Sequence, residues 1–289
     1  MITTKRGTFS TPLRYPGGKG RITPFVKELF EINGLCDGHY VEPYAGGAGI
    51  AVTLLLQEYA SCIHINDLNQ SVYAFWSTVL ANTDELCRLI NDTPVTADEW
   101  RRQKEVHQNP AQHSSLQLGF STFFLNRTNR SGIIDGGMIG GKNQTGKWKL
   151  DARYNKKDLV LRIQKIARLR ARIRLYQMDA GEFIENVLPR LPNETLIYLD
   201  PPYYVKGEGL YQHFYQHEDH VRIARLVREK IRQPWMVSYD NHQEIRALYS
   251  GYRTHTYSLQ YSAQDRYAGS EVMVFSRQLR LPPGGDLEG

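Results

Sequence analysis

A short apolar run, Leu196 to Leu199, stops abruptly at Asp200-Pro201-Pro202-Tyr203, and this stretch constrains the fold more than any other. Apolar runs bounded by turn-forming residues are typical of buried β-strands, and consecutive prolines cannot continue a strand's hydrogen-bond ladder. The pattern predicts that Asp200 lies at the C-terminal end of a strand, the edge where open α/β sheets bind ligands. A planar group that carries an NH2 could bind here, because the turn offers a carboxylate, a carbonyl of the stiff proline pair and an aromatic ring. An ordinary strand-to-loop exit would use the same residue types.

A strand, a glycine-rich loop and a helix follow one another between His39 and Tyr59. This order is typical of the first unit of a doubly wound sheet, whose glycines let the backbone approach a ligand closely. The next predicted strand, Cys62 to Asn66, ends at Asp67, where an acid can accept hydrogen bonds from ribose hydroxyls. The two strands together predict a site for an adenosine-type ligand. A nicotinamide dehydrogenase would share the glycine loop but would leave Asp-Pro-Pro-Tyr unexplained.

The remaining pattern favours an α/β fold with a large insert. Further strands are predicted at 175–179, 235–240, 252–261 and 271–276, the last two as an antiparallel pair. The opening segment 13–21 contains glycines and Lys19 and precedes a predicted helix. It is not a Walker A loop, because Lys19 is followed by Gly20 instead of Ser or Thr. Taken by itself, the segment is better explained as a flexible turn.

Basic residues concentrate in one region of the chain. Between Asn126 and Arg174 there are fourteen Lys and Arg residues against three Asp and Glu residues, a local net charge of +11 in a chain that carries +6 in total. Local positive charge of this kind is typical of a nucleic-acid-binding face, although solvation explains the basic face of the helix predicted from Asn155 equally well. We assign 71–173 to a mostly helical, basic insert. Residues 1–70 and 174–280 would form a discontinuous catalytic domain, and 281–289 a flexible tail.

Composition bounds the class of protein. The chain has 289 residues, of which 41% are hydrophobic, and contains no apolar run that resembles a signal peptide or could span a bilayer. We therefore expect a soluble intracellular protein. The three cysteines are scattered and form no Cys-x-x-Cys pair, so their spacing indicates neither a disulfide framework nor a zinc site. His213 and His217 have the spacing of a helical zinc pair, but the aromatic residues around them favour a loop that closes over a ligand.

With these pieces in order, the chain resembles the DNA adenine-N6 methyltransferases of the Dam-like group from Leu13 to about Ser276. The resemblance rests on separated motifs in a fixed order, namely Tyr-Pro-Gly-Gly-Lys from Tyr15, Glu-Pro-Tyr-x-Gly-Gly-x-Gly from Glu42, Asn66-Asp67, and Asp-Pro-Pro-Tyr. Tyr15 stands where several relatives carry tryptophan. The resemblance implies a Rossmann-like sheet that binds S-adenosylmethionine, with a mostly helical insert that recognises the DNA target.

The resemblance also implies roles for individual residues. Asp200 and the Pro201 carbonyl would accept the N–H bonds of adenine N6, while Pro202 stiffens the turn. Because N6 is inaccessible inside a duplex, the adenine would be flipped out, and Tyr203 would stack on it. The implied cofactor-binding residues are Tyr15, Lys19, Glu42, Pro43, Gly46, Gly47, Gly49, Asp67, Asp179 and Asp200. The predicted DNA-binding residues are Arg127, Asn129, Arg130, Lys142, Asn143, Lys147 and Lys149.

Several alternatives share parts of this pattern. A cytosine-N4 methyltransferase is the nearest, because that exocyclic amine presents the same chemical problem to the same acceptors. Cytosine-C5 transfer is disfavoured, since it needs a Pro-Cys pair that the chain lacks. Methylation of RNA or of a protein glutamine, and an inactive DNA-binding module, are weaker alternatives. We expect duplex DNA as the partner of a monomeric, cytoplasmic prokaryotic or phage enzyme that uses no metal. A cognate restriction endonuclease is a further candidate partner.

Overall fold

The computed structural model describes residues 10–14, 19–205, 215–260 and 268–283. The strands are β1 (Gly38–Glu42), β2 (Ala60–Asn66), β3 (Ile173–Tyr176), β4 (Thr195–Leu199), β5 (Trp235–Asp240), β6 (Arg253–Gln260) and β7 (Ala268–Phe275). The α-helices are α1 (Thr23–Ile32), α2 (Gly49–Leu56), α3 (Gln70–Ala81), α4 (Thr83–Asp92), α5 (Ala97–Gln108), α6 (Ser115–Thr128), α7 (Lys156–Arg168), α8 (Ala180–Asn186), α9 (His217–Lys230) and α10 (Gln243–Leu248).

The seven strands within the described residues form one sheet in the order β3-β2-β1-β4-β5-β7-β6. The first five are parallel, and β7 and β6 close one edge as an antiparallel pair. This arrangement confirms the predicted α/β class and the closing antiparallel pair. Because the order of parallel strands reverses direction between β1 and β4, the carboxyl ends of these two strands flank the crevice where such sheets bind ligands.

Alternate residues of the central strands pack into two separate hydrophobic cores, one on each face of the sheet. Leu196 and Tyr198 of β4 contribute to the first core, which also contains residues of α1, α2 and α3. Ile197 and Leu199 of β4 contribute to the second, together with residues of α8 and α9. A strand buried on both faces becomes a continuous apolar run, which explains why β4 is recognisable in the sequence.

The third strand differs from its prediction. A strand over 175–179 that ends in an acid is wrong at both boundaries, because β3 spans Ile173–Tyr176. Asp179 lies beyond it as the N-terminal cap of α8, where its side chain accepts hydrogen bonds from the amides of Gly181 and Glu182. The first amides of a helix have no partner within the helix, and a carboxylate at the capping position satisfies them. Because Asp179 has this role, it belongs to the start of α8 and not to the hydrogen-bonded strand β3.

The five helices α3 to α7 connect β2 to β3 and occupy most of the predicted insert at 71–173. Their buried residues, including Phe75, Phe123 and Ile163, belong to the same hydrophobic core as residues of the sheet's first face. The helix predicted from Asn155 is present, since the Asn155 side chain accepts a hydrogen bond from the amide of Asp158 at the start of α7. The division into a catalytic domain and an insert stays a prediction.

No helix in the described ranges is long and apolar enough to cross a membrane.

Candidate active site

Asn66, the last residue of β2, fixes the ends of three neighbouring strands. Its side-chain nitrogen donates to the carbonyl oxygens of Pro43 and Met178, over 2.9 and 3.0 Å. Its side-chain oxygen accepts a 2.9 Å hydrogen bond from the Met178 amide. Asn66 is 1% exposed, so these bonds are shielded from water. The segments that follow β1 and β3 are therefore attached to the end of β2.

Asp67 organises the glycine loop after β1. One carboxylate oxygen accepts a 2.8 Å hydrogen bond from the Gly46 amide, and the other accepts from the Asn69 amide over 2.9 Å. Gly46 has a positive φ of 47°, a conformation that favours glycine, and its carbonyl accepts from the Trp76 indole. The Gly47 carbonyl accepts a 2.5 Å hydrogen bond from the Thr11 hydroxyl. The opening segment, the loop and the acid of the second strand thus form one connected structure.

Glu42 ends β1 as a buried acid. Its Oε1 accepts a 3.1 Å hydrogen bond from the Ala51 amide in the first turn of α2. Burial raises the pKa of Glu42 to about 8, although the hydrogen bond from Ala51 acts in the opposite direction. Gly49 begins α2, and a Cβ at this position would meet only the Thr11 side chain, at an ordinary distance of 3.7 Å. Close packing therefore does not require glycine at position 49.

Asp200 follows β4 directly, as predicted, and lies at the sheet's carboxyl edge. Its Oδ1 accepts a 2.5 Å hydrogen bond from the Ser238 hydroxyl and lies 2.9 Å from the Lys19 ammonium. Ser238, on the neighbouring strand β5, is in turn bonded to the Tyr198 hydroxyl over 2.7 Å. In the described part of the chain both donors contact Oδ1, which leaves Oδ2 as an acceptor. The Asp200 side chain as a whole retains 26% exposure, so part of it can be reached from solvent.

Lys19 and Tyr203 connect Asp200 to a second acid, Glu271 of β7. The Lys19 ammonium lies 3.4 Å from Glu271 Oε2 and donates to the Tyr203 hydroxyl over 3.1 Å. Tyr203 donates to Glu271 Oε1 over 2.6 Å, and Tyr257 of β6 donates to Oε2 over 2.5 Å. Both acids are thus held around one buried cation. We call Lys19, Asp200, Tyr203, Tyr257 and Glu271 the Lys19 cluster.

Burial and neighbouring charges act in opposite directions on the pKa values of Asp200 and Lys19. Burial raises the pKa of Asp200, whereas the Lys19 charge acts against this increase. For Lys19, burial favours a lower pKa, but its anionic neighbours, led by Asp200, outweigh burial and raise the pKa well above its usual value. A buried ion pair is stable only when its remaining donors and acceptors are satisfied, and the two tyrosine hydroxyls provide this here.

Not every predicted cofactor residue contacts the Lys19 cluster or the glycine loop. Tyr15 lies outside the described residues, as does His213 of the alternative zinc pair. The Pro43 carbonyl is occupied by Asn66. Asp179 caps α8 and pairs with Arg222 of α9 over 3.1 Å. Lys19 contacts Asp200 and Glu271, whereas its predicted role in binding the cofactor stays a prediction.

The predicted DNA-binding residues fall into two groups. Arg130, Lys142, Asn143, Lys147 and Lys149 are exposed. Asn129 is fully buried and its side chain bonds internally, accepting from the Trp100 indole and donating to the carbonyls of Ile133 and Ile134. Arg127 is 8% exposed, and burial, with neighbouring arginines, lowers its pKa to about 9. Trp148, which lies between Lys147 and Lys149 in the chain, is 60% exposed.

Several site residues are not evident from sequence patterns alone. Ser238 and Glu271 lie on β5 and β7, and their contact with the Asp200 region depends on strand pairing between distant segments. A weak signal was present for Glu271, because it is a charged residue at the start of an otherwise apolar strand sequence, 271–275. Asp240 was also missed, although it holds the turn after Tyr203 by accepting from the amides of Tyr204 and Val205, over 2.7 and 2.9 Å.

Comparisons with known proteins identify similar sequences and structures. The chain is 21% identical over 235 residues to the Type II methyltransferase M.MjaIII of Methanocaldococcus jannaschii. The aligned region covers 75% of this chain and 78% of that protein. Similar solved structures include a SAM-dependent methyltransferase from Agrobacterium tumefaciens (11% identity, TM-score 0.42, 89% of this chain and 62% of that one). Another is the rRNA methyltransferase aviRa from Streptomyces viridochromogenes, with 12% identity and a TM-score of 0.38; the match covers 92% of this chain and 88% of that one.

A family model decides the assignment. The model of the D12 class N6 adenine-specific DNA methyltransferases matches residues 15–263, which include the glycine loop, Asp67 and Asp-Pro-Pro-Tyr. The match confirms the resemblance found in the sequence. The chain belongs to this family and is an adenine-N6 DNA methyltransferase.

Proposed function

We propose that the enzyme takes its methyl group from S-adenosylmethionine and transfers it to N6 of an adenine that has been flipped out of duplex DNA. The observation that carries this proposal is the environment of Asp200, whose Oδ1 is occupied by Lys19 and Ser238 while Oδ2 is left as an acceptor. The fixed oxygen sets the orientation of the carboxylate. The second oxygen then faces the substrate with a defined direction.

The chemistry requires an acceptor because the adenine amino group is a poor nucleophile. Its lone pair is delocalised into the ring, and acceptors for its N–H bonds favour a tetrahedral nitrogen with a localised lone pair. We assign these acceptor roles to Asp200 Oδ2 and the Pro201 carbonyl. S-adenosylmethionine, when bound, supplies an electrophilic methyl group on a sulfonium. Methylation of N6 would release one proton from this nitrogen, and Asp200 would be positioned to accept it.

The residues around the glycine loop fit an adenosine-type cofactor. Asp67 accepts hydrogen bonds from the Gly46 and Asn69 amides, which hold its carboxylate beside the glycine loop. Leu68 follows directly and is 46% exposed, which provides an apolar face beside that acid. Gly46 and Gly47 leave this side of the loop without bulky side chains. We propose that Asp67 holds the ribose and Leu68 contacts the adenine.

We place the DNA on the surface formed by Arg130, Lys142, Asn143, Lys147 and Lys149, the basic surface. Trp148 lies within it, with the Lys147 ammonium and the Arg153 guanidinium 5.8 and 5.7 Å from its ring centre. Exposed cations bind phosphates without sequence preference, and an exposed aromatic ring can stack on an unpaired base. The buried positions Arg127 and Asn129 would support this surface from within. Tyr203 is 3% exposed, so its predicted stacking on the flipped base would require the neighbouring segments to open.

The decisive experiment compares Asp200→Asn with the wild type on duplex DNA. Asparagine keeps the shape but replaces one acceptor oxygen with a donor, and loss of one oriented polar group in such a site typically lowers kcat by about 100-fold or more. Binding of S-adenosylmethionine and DNA, measured separately by calorimetry, should be retained. Asp37→Asn, at an exposed turn, is the matched control and should keep full activity. Activity of Asp200→Asn within a few-fold of the wild type would refute the mechanism.

Analysis of the methylated nucleoside from the same reactions tests the target atom. N6-methyladenine is the expected product, whereas N4-methylcytosine would contradict the base assignment. Because M.MjaIII is named a Type II methyltransferase, we also propose that the enzyme works beside a cognate restriction endonuclease. We expect the enzyme itself to be a monomer. Light scattering tests whether the enzyme is a monomer. The proposed partnership with an endonuclease is tested by asking whether DNA from cells that express the enzyme resists cleavage at the methylated sequence.

A further inference from the structure

Three potential metal ligands meet on one face of the sheet. His39 is paired with Cys62 across β1 and β2, and His64 lies two residues further along β2. Strand residues two apart lie on the same face, so Cys62 and His64 both point away from the core that contains Ile63 and Ile65. The site lies outside the Lys19 cluster, the glycine loop and the basic surface.

The distances between the three side chains are those of a coordination site. His64 Nε2 lies 3.1 Å from His39 Nδ1 and 3.8 Å from Cys62 Sγ. The three potential ligand atoms are all within 4.8 Å of one another. A tetrahedral zinc ion with Zn–N bonds of about 2.0 Å and Zn–S bonds of about 2.3 Å separates its nitrogen and sulfur ligands by about 3.3 to 3.6 Å. Only small side-chain movements are needed to reach this geometry.

Tyr176 orients the central ligand. Its hydroxyl lies 3.2 Å from His64 Nδ1, and its ring stacks on the imidazole at an interplanar angle of 15°. When Nδ1–H donates to the tyrosine oxygen, the Nε2 lone pair faces His39 and Cys62. Histidine ligands of metals are usually fixed in this way by a hydrogen bond at the other ring nitrogen. Tyr176 therefore acts as the outer support of the site.

The three side chains differ in their exposure. His64 is buried, with 4% exposure, whereas His39 and Cys62 are half-buried and leave a path by which an ion can enter.

We propose that His39, Cys62 and His64 form a binding site for a divalent transition-metal ion of the zinc class, with the fourth position open to water. Two imidazoles and one thiolate are the ligands that Zn²⁺ and Co²⁺ accept, whereas Mg²⁺ and Ca²⁺ prefer oxygen. The bound ion would link β1 to β2. It would stabilise the folded chain without taking part in methyl transfer, so the proposal stands apart from the function of Asp200.

Cobalt provides a direct test, because a thiolate bound to Co²⁺ produces a charge-transfer band in the near ultraviolet. The full-length protein, treated with chelator and kept reduced, is titrated with Co²⁺ alone. We expect saturation at one ion per chain and displacement by Zn²⁺. Cys62→Ser should abolish the band, and His39→Asn should weaken cobalt binding by about 10-fold or more. Cys87→Ser, which alters a cysteine outside this site, is the matched control and should keep the band.

A second measurement follows stability. An ion that binds only the folded chain raises the melting temperature, so Zn²⁺ should raise it for the wild type and for Cys87→Ser but not for Cys62→Ser. The absence of a charge-transfer band in the folded wild type would overturn the proposal. So would a band that survives in Cys62→Ser, because cobalt would then be bound by other ligands.

Discussion

Tyr203 of the Asp-Pro-Pro-Tyr turn donates a 2.6 Å hydrogen bond to Glu271 of β7. The turn after the central strand is thereby attached to the antiparallel pair at the edge of the sheet. Glu271 is fully buried and also lies 3.4 Å from the Lys19 ammonium that contacts Asp200. One acid on β7 thus positions the tyrosine and shares the cation with the proposed catalytic carboxylate.

We predict that Glu271→Gln shifts the acidic limb of the pH–rate profile to lower pH. The negative charge of Glu271 is one cause of the raised pKa of Asp200. Its removal favours ionised Asp200, so the carboxylate persists at more acidic pH. The kcat should also fall by about 10-fold, since glutamine offers one acceptor oxygen to two tyrosine hydroxyls and a lysine. Methylation rates from pH 5 to 9 under saturating substrates measure both effects.

Glu244→Gln, at an exposed position in the first turn of α10, provides the control for this prediction. Its pH–rate profile should match that of the wild type. If Glu271→Gln lowered activity equally at every pH, Glu271 would have a purely structural role.

The sequence was sufficient to predict the parts of the site that are local in the chain. Asp200 ends a strand buried on both faces, so its place at the carboxyl edge follows from one apolar run and two prolines. The glycine loop and Asp67 are similarly local. By contrast, the bond between Ser238 and Asp200 joins residues 38 positions apart, and its existence depends on which strands are neighbours in the sheet.

The basic region shows a second limit of sequence patterns. Arg127 and Asn129 have the composition of a DNA-binding loop, but α6 ends at Thr128 and both residues are buried. Charge and polarity do not distinguish a side chain that reaches solvent from one that fills hydrogen bonds inside the protein. The His39, Cys62 and His64 cluster was hidden for a related reason, because cysteine spacing carries no information about the pairing of β1 with β2.

Glu42 should make the stability of the folded chain depend on pH. Burial raises the pKa of Glu42 from 4.5 to about 8 in the folded state. The stability that neutral Glu42 contributes to the folded chain is therefore fully present below about pH 4.5 and is lost as the pH rises through 8. Glu42→Gln mimics the neutral acid and should therefore lose less stability between pH 5.5 and 8.5. The wild type should lose more free energy of unfolding than Glu42→Gln over this pH range, by on the order of a few kcal/mol at most. Urea unfolding at both pH values tests this, with exposed Glu28→Gln as the control.

Asn66→Ala should destabilise the fold and disorder the glycine loop. The substitution leaves the Pro43 carbonyl and both backbone groups of Met178 without their described side-chain partner. Each buried polar group that loses its partner typically costs about 1 to 3 kcal/mol. We expect the free energy of unfolding to fall by roughly that amount or more. The affinity for S-adenosylmethionine should fall as well, whereas exposed Asn143→Ala should change neither quantity.

The double variant Lys142→Ala and Lys147→Ala tests the basic surface. Both lysines are exposed, and each phosphate contact that is removed should reduce the slope of log affinity against log salt by about 0.9. DNA affinity should fall at low salt and approach that of the wild type as the salt concentration rises. Lys230→Ala with Arg225→Ala removes the same charge from the exposed side of α9 and controls for net charge. Equal salt slopes for the two double variants would place the DNA on another surface.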